Sequence, residues 1–387
     1  MVYVDPKNLG YTPYWDKFLS RRKGTEKKCL NQLFKKYVPV ILDRIFDGYY
    51  GFEKFAPLKL IIYQTKLNMV TQLCFMLDAI LKLPAEDESS SYISSNENLE
   101  VTSVISAQPT DEMEANFILA LYCSLGAPLE DDSRLVFDDF VKNITGFLKV
   151  NDTPAKRATL KFIPSQKETW YEYYLDVENQ IWIPWNTLVD KYEHNSSIKF
   201  NELLVPTVDS TRVTWLLNLM TIVKRPVILI GETGTSKTAT MQNFLRSLDS
   251  YQYAQTSLNF SSRTSSLDIQ TSLEANVFKR NKNIYGPSIG KKLVCFIDDM
   301  NMPQVDTYGT QQPIAFLKLF LEFGGMYDRG KEFDWKSFVD VYLYAAMGKP
   351  GGGRNEVDQR FISMFSVYCM VFPSDNTIDH IFRSILS

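Results

Sequence analysis

The chain has 387 residues with 45% hydrophobic and 13% aromatic content, enough for an extensive core and too apolar for global disorder. Its 42 basic and 45 acidic residues leave a net charge of −3, without the basic excess of a dedicated nucleic-acid binder. The N-terminus MVYVDPKNLGY has neither a basic start nor an apolar signal core, and the uncharged helical run Leu67 to Leu77 is far shorter than the ~20 residues that cross a bilayer, so a soluble chain is expected.

From about Tyr14 to Pro84 the pattern is helical: Leu58, Ile61, Ile62, Leu73, Met76, Leu77, Ile80 and Leu81 recur at three- and four-residue steps. Residues 86–114 are serine-rich and acidic and read as a solvated loop. Helical periodicity resumes in NFILALYCSLGAPL and runs to about Leu148. An aromatic stretch follows, TWYEYYLDVENQIWIPWNTL, holding Trp170, Trp182 and Trp185. Alternation around Tyr171-Tyr173-Leu175 and Ile181-Ile183 predicts a hairpin. Its acids, Glu168, Glu172, Asp176 and Glu178, favour a packing role over a base-stacking platform. The cysteines, Cys29, Cys74, Cys123, Cys295 and Cys369, are scattered without metal-ligand spacing and read as reduced core thiols.

From Val205 onward strands and helices alternate. VDSTRVTWLLNLMTIV reads as a helix capped at Asp209 or Ser210. PVILI is a continuously apolar strand of the kind a parallel sheet buries on both faces. KTATMQNFLRSL is amphipathic, with Met241, Phe244, Leu245 and Leu248 on one side, and TSLNFSS, KLVCFIDDM, DVYLYAAMG and FSVYCMVFP supply further strands. The interleaving predicts βαβ units and a mainly parallel α/β sheet with flanking helices.

The strand PVILI leads into GETGTSKT, residues 231–238, and then a helix, the order that phosphate binding requires. Gly231, Glu232, Thr233, Gly234, Thr235, Ser236, Lys237, Thr238 and Ala239 form the candidate nucleotide-binding loop. Lys237 would bridge the β- and γ-phosphates of ATP, and Thr238 would ligate Mg²⁺. Ser236 stands where the G-x-x-x-x-G-K-[ST] pattern has glycine. It is tolerated if its φ stays negative, and its added side chain is expected to reduce affinity. The apolar strand Leu293 to Ile297 ends in Asp298-Asp299, the Walker B arrangement: Asp298 would hold Mg²⁺ and Asp299 would polarise the attacking water. The competing reading of both acids is a solvated turn.

IDDMNMPQVDTYGTQQPIAFLKLFLEFGGMYDR, AAMGKPGGGRNEVDQRF, VPTVDSTR and GETGTSKTATMQNFL together resemble the third AAA+ module of dynein heavy chains, particularly the axonemal class. The N-terminal half is similar as well: MVYVDPKNLGYTPYW to the end of the second module's large domain, ANFILALYCSLGAPLEDDSRLVFDDFV to its helical lid, and YEYYLDVENQIWIPW to the connection into the third. The resemblance implies a fragment. Residues 1–30 would close a preceding AAA+ large domain, 31–160 would be a helical lid with a loop at 86–114, 161–204 an aromatic hairpin connector, and 205–387 a P-loop AAA+ large domain.

It also implies ATP or ADP with Mg²⁺ as ligands, and neighbouring AAA+ modules of the ring as partners. Through a full-length chain it implies microtubules and the intermediate and light chains, in the cytoskeleton of the ciliary axoneme; neither nucleic acid nor membrane is implied as a partner. Arg360 sits where an AAA+ arginine finger would reach the preceding module's nucleotide, with Arg354 the second choice and a surface ion pair the bland alternative. Val205, Pro206 and Thr207 would line the adenine pocket or form an ordinary turn into the helix. Asp299 replaces the usual glutamate, and Gly348 replaces a polar sensor, commonly asparagine. Losing one such donor costs about a hundredfold in rate. Three readings stay open: a regulatory site with slow hydrolysis, a competent ATPase module, and an architectural ring segment whose nucleotide never exchanges.

Overall fold

The computed structural model describes residues 10–81, 111–145, 164, 168–176, 179, 181–192, 204–330 and 333–386. The predicted acidic loop lies outside these up to residue 110. The N-terminal half contains helices α1 (Thr12–Ser20) and α2 (Gly24–Phe46), a small hairpin of β1 (Tyr49–Tyr50) and β2 (Glu53–Lys54), and helices α3 (Lys66–Ile80), α4 (Asp111–Ser124) and α5 (Asp131–Thr145).

Two expectations fail here for local reasons. Leu58, Ile61 and Ile62 are not on a helix, although their spacing fits one. Pro57 brings no N–H, the Leu58 N–H donates to Ile45 O at 3.0 Å, and the Ile61 N–H donates to Pro128 O at 2.9 Å, so the segment runs extended beside the loop ahead of α5. Conversely, Asp111 to Glu114 belong to α4 rather than to the loop predicted over 86–114. Glu114 is buried, accepting from Lys36 Nζ at 2.6 Å and from the Tyr37 hydroxyl, which holds this acidic turn against α2.

The aromatic hairpin forms as β3 (Tyr173–Asp176) and β4 (Ile181–Pro184), antiparallel with Leu175 opposite Trp182. It packs rather than presenting a stacking platform: Trp170 and Trp185 are buried, and Trp185 meets Trp215 edge-on at 5.6 Å. Buried Asp138 ties it to α5, accepting from the Trp170 N–H at 2.9 Å and the Tyr122 hydroxyl at 2.7 Å and pairing with Lys142 at 2.5 Å.

The C-terminal half runs α6 (Val208–Ile222), β5 (Val227–Gly231), α7 (Lys237–Ser247), β6 (Tyr253–Asn259), α8 (Ser266–Glu274), β7 (Phe278–Asn281), β8 (Ile284–Gly286), β9 (Lys292–Asp298), α9 (Gln312–Phe323), β10 (Gly325–Tyr327), β11 (Trp335–Phe338), β12 (Val341–Met347), α10 (Gln359–Ile362), β13 (Ser366–Met370) and α11 (Asp375–Leu386). The cap of α6 is Thr207, not Asp209 or Ser210: Thr207 Oγ1 accepts from the Ser210 N–H at 3.2 Å while Ser210 Oγ accepts from the Thr207 N–H at 2.9 Å. Asp209 is used elsewhere, pairing with Arg212 at 2.6 Å.

Five strands form one parallel sheet in the order β13-β5-β12-β9-β6. Side chains alternate between two cores. Val227, Leu229, Val294, Phe296, Tyr344 and Tyr368 face one side with α6 and α7, and that core is continuous with the helical N-terminal half. Ile228, Ile230, Cys295, Ile297, Leu343 and Val367 face the other, under α8 and α9. This two-sided burial is why PVILI carries no polar alternation. A second sheet, β10-β11-β8-β7, was not predicted; its strands are only three or four residues long and lack the continuous apolar runs of the parallel sheet. Among the described residues no helix is long and apolar enough to cross a membrane.

The outer edge of β13 is closed by the N-terminal half. Buried Gln72 on α3 donates to Val367 O at 3.2 Å and accepts the Val367 N–H at 3.0 Å. The Cys369 N–H reaches Ala127 O at 2.9 Å, and Arg134 on α5 donates to Cys369 O at 2.6 Å. Gln72→Leu would strand two buried backbone groups and is expected to lower unfolding stability by about 2 kcal/mol or more. An unchanged denaturant midpoint would show that this edge does not depend on Gln72.

Candidate functional site

β5 and β9 end side by side across β12, and this brings the two predicted motifs together. Thr238 Oγ1, at the start of α7, donates to Asp298 Oδ2, at the end of β9, at 2.7 Å. Burial pushes the Asp298 carboxyl above the ordinary carboxylate range, although the Thr238 hydroxyl and the Asp299 N–H, at 3.0 Å from Oδ1, favour its charge. Lys237 folds over the loop, its Nζ donating to Gly231 O at 3.0 Å, Glu232 O at 2.6 Å and Thr235 Oγ1 at 3.2 Å. Its pKa is lowered first by burial and then by the positive charge of Arg354. Gly231 has no room for a side chain, because a Cβ there would lie 2.5 Å from Met370 O.

Ser236 corrects the sequence reading: its φ is +55°, in the left-handed region, not negative. The loop enters α7 in that conformation, and the Ser236 carbonyl accepts from the Thr240 N–H at 2.9 Å. A serine there carries a strain that glycine would avoid. Asp299 is also left-handed, at φ +48°, and its side chain is 51% exposed with Oδ1 3.9 Å from Arg354 Nη2.

Beside the loop lies a cavity of about 230 Å³, lined on one side by Val205 and Thr207 and on another by Gly234, Thr235 and Ser236, with Met370, Val371 and Ile381 closing it. Pro206 is outside its lining, and Ala239 is exposed on the first turn of α7. Aromatic residues of the connector, Trp170, Tyr171 and Trp182, form its far wall, a contribution that sequence reasoning missed. Their concentration of tryptophan and tyrosine was the available signal.

The two candidate arginines separate. Arg360 is exposed on α10, away from the loop, where its N–H bonds Asp358 Oδ1 at 3.0 Å. Arg354 instead lies over Gly348, with Nη1 at 3.4 Å from Thr233 Oγ1 and Nη2 at 3.9 Å from Asp299 Oδ1. Lys349 spans Glu130 at 2.8 Å and Glu232 at 3.4 Å, linking the N-terminal half to the loop. The donor set fits a nucleotide with its cation: clustered Lys237 and Arg354 call for an anion, the hydroxyl–carboxylate pair suits a hard divalent ion, and the adjoining cavity is largely apolar.

Two family descriptions match the chain: "P-loop containing dynein motor region" over residues 192–373 and "Dynein heavy chain AAA lid domain" over residues 30–187. Over its full length the chain is 50% identical to dynein axonemal heavy chain 10 of Homo sapiens, covering 8% of that protein. It is 43% identical to the dynein-1-alpha heavy chain, flagellar inner arm I1 complex, of Chlamydomonas reinhardtii, again covering 8%. Dynein axonemal heavy chain 6 of Homo sapiens is 32% identical, with 9% of its length covered.

Ser236→Gly is expected to raise the stability of the ligand-free protein by about 0.5–1 kcal/mol, the relief of a left-handed serine less the entropy of glycine; calorimetry showing a loss would contradict the strain. Because folding raises the Asp298 pKa, its ionisation costs stability, a cost absent in acid and complete above the raised value. Asp298→Asn should therefore match the parent in acid and gain in melting temperature as pH rises above the ordinary carboxylate range. A difference that does not grow with pH would refute this.

Proposed function

Because this chain belongs to the axonemal dynein heavy chains, spanning 8–9% of the length of the relatives compared, we propose that it binds ATP and ADP with Mg²⁺ between the start of α7 and the end of β9, as a regulatory AAA+ module with slow hydrolysis. The observation that carries this reading is the 2.7 Å Thr238–Asp298 bond with Lys237 beside it. Lys237 would hold the β- and γ-phosphates, Thr238 and Asp298 the cation, and Val205 and Thr207 the base.

Slow turnover is supported by three features of the same site. Asp299 has a short, half-exposed side chain, Gly348 offers no side-chain donor, and Ser236 sits in a strained conformation. In a full-length chain the module would sit between others of the motor ring, residues 30–187 serving as the lid of the second module and residues 192–373 as the large domain of the third. Arg360, exposed on α10, is suited to reach the nucleotide of the preceding module. The whole motor would move along microtubules toward their minus ends, with intermediate and light chains, in the ciliary axoneme.

Equilibrium binding and single-turnover hydrolysis test the site. Lys237→Ala is expected to weaken ATP and ADP about tenfold or more, the value of charge-assisted phosphate bonds. Asp299→Asn should bind normally and reduce whatever hydrolysis is present. Undiminished binding in the first variant would remove Lys237 from the site, rapid multiple turnover of the parent would exclude the slow-site reading, and parental rates in Asp299→Asn would show that Asp299 is not catalytic.

A further inference from the structure

The segment between β12 and α10 is built to place one guanidinium. Gly351, Gly352 and Gly353 have φ values of +115°, +59° and +89°, a turn that side-chain-bearing residues rarely adopt. It folds the chain back so that the Gly351 N–H donates to Arg354 O at 2.9 Å and the Arg354 N–H donates to Gly351 O at 3.1 Å. Asn355 then anchors the end of the turn beneath β9, its N–H reaching Asn301 O at 3.0 Å, while buried Asn301 donates to Gly348 O at 2.9 Å. The Arg354 side chain thereby lies across Gly348, where a Cβ would sit 2.5 Å from Nε and 2.6 Å from Cδ. Gly348 is thus not simply a lost sensor: its bare backbone is the space that Arg354 occupies.

What Arg354 lacks is a partner of matching chemistry. Its Nε is buried without a hydrogen-bond acceptor. Its contact to Thr233, at 3.4 Å, is longer than a good N–H···O bond, and Asp299, at 3.9 Å, is farther still. A planar fork of five donors is left nearly unused beside a phosphate-binding loop. Lys237 shares that loop, its Nζ bonded to the Gly231 and Glu232 carbonyls.

The geometry points to Arg354 as the residue through which this site tells a nucleoside triphosphate from a diphosphate, meeting the terminal phosphate from within the same module and replacing the donor absent at Gly348. This rests on the nucleotide reading of the loop. The ground-state role is distinct from that of an arginine reaching a neighbouring module: Arg354 acts on the loop of its own chain, placed there by the glycine turn and the space over Gly348.

The test compares affinities of the 387-residue chain for Mg·ADP and for the Mg complex of the non-hydrolysable β,γ-imido analogue of ATP. Arg354→Ala is expected to lower affinity for the triphosphate about tenfold or more and to leave that for ADP within about twofold, the worth of one charge-assisted fork. Arg354→Lys, which keeps the charge without the fork, should recover part of the loss. Gly348→Ala, which leaves Arg354 in the chain but takes its space, should shift the ratio in the same direction, with melting temperatures reporting that each variant is folded. If Arg354→Ala weakens both ligands in parallel, or leaves the ratio unaltered while Lys237→Ala abolishes both, the assignment is overturned and the nucleotide site stands. If the folded parent binds neither ligand, both fall.

Discussion

The hydrogen bond between Thr238 and Asp298 is the constraint on which the site depends. It joins residues 60 positions apart, and it can form only because β5 and β9 end at the same level with β12 between them. Parallel pairing sets that level: Ile230 lies beside Met347, and Ala345 beside Ile297. A slip by one residue would exchange the two cores as well as part the pair, because side chains alternate across the sheet. The same register that buries Ile228 and Leu229 on opposite faces therefore fixes the distance between a hydroxyl and a carboxylate.

The helical half is part of this constraint. One face of the sheet shares its core with α1 to α5, and the outer edge of β13 finds its hydrogen-bond partners on Gln72, Ala127 and Arg134. An exposed edge strand would invite pairing with another chain, and here it is covered by helix and loop. The cavity beside the P loop draws walls from the connector, from Val205 and from the segment after β13, so its shape is a property of both halves.

Much of this was legible in the sequence. PVILI, KLVCFIDDM, DVYLYAAMG and FSVYCMVFP announce buried parallel strands because continuous apolar runs have few other uses in an α/β chain, and the hairpin around Trp182 followed from alternation. What escaped was governed by tertiary partners. Leu58, Ile61 and Ile62 have helical spacing, yet their backbone groups bond to Ile45 and to the loop at Pro128. The Asp111 to Glu114 turn looks solvated until Lys36 and Tyr37 are placed beside Glu114. The left-handed φ of Ser236 runs against its residue preference, and only the path of the loop between β5 and α7 reveals it. The position of Arg354 depends on three glycines and on space above a fourth, none of which a motif match encodes.

The seam at β13 has a mechanical consequence. Gln72 grips Val367 from both sides, Arg134 holds the next carbonyl but one, and Lys349 ties Glu130 to the P loop. Any displacement of β13 relative to the helical half must therefore rupture several bonds at once instead of stretching one. Such a joint behaves as a weld, not a hinge.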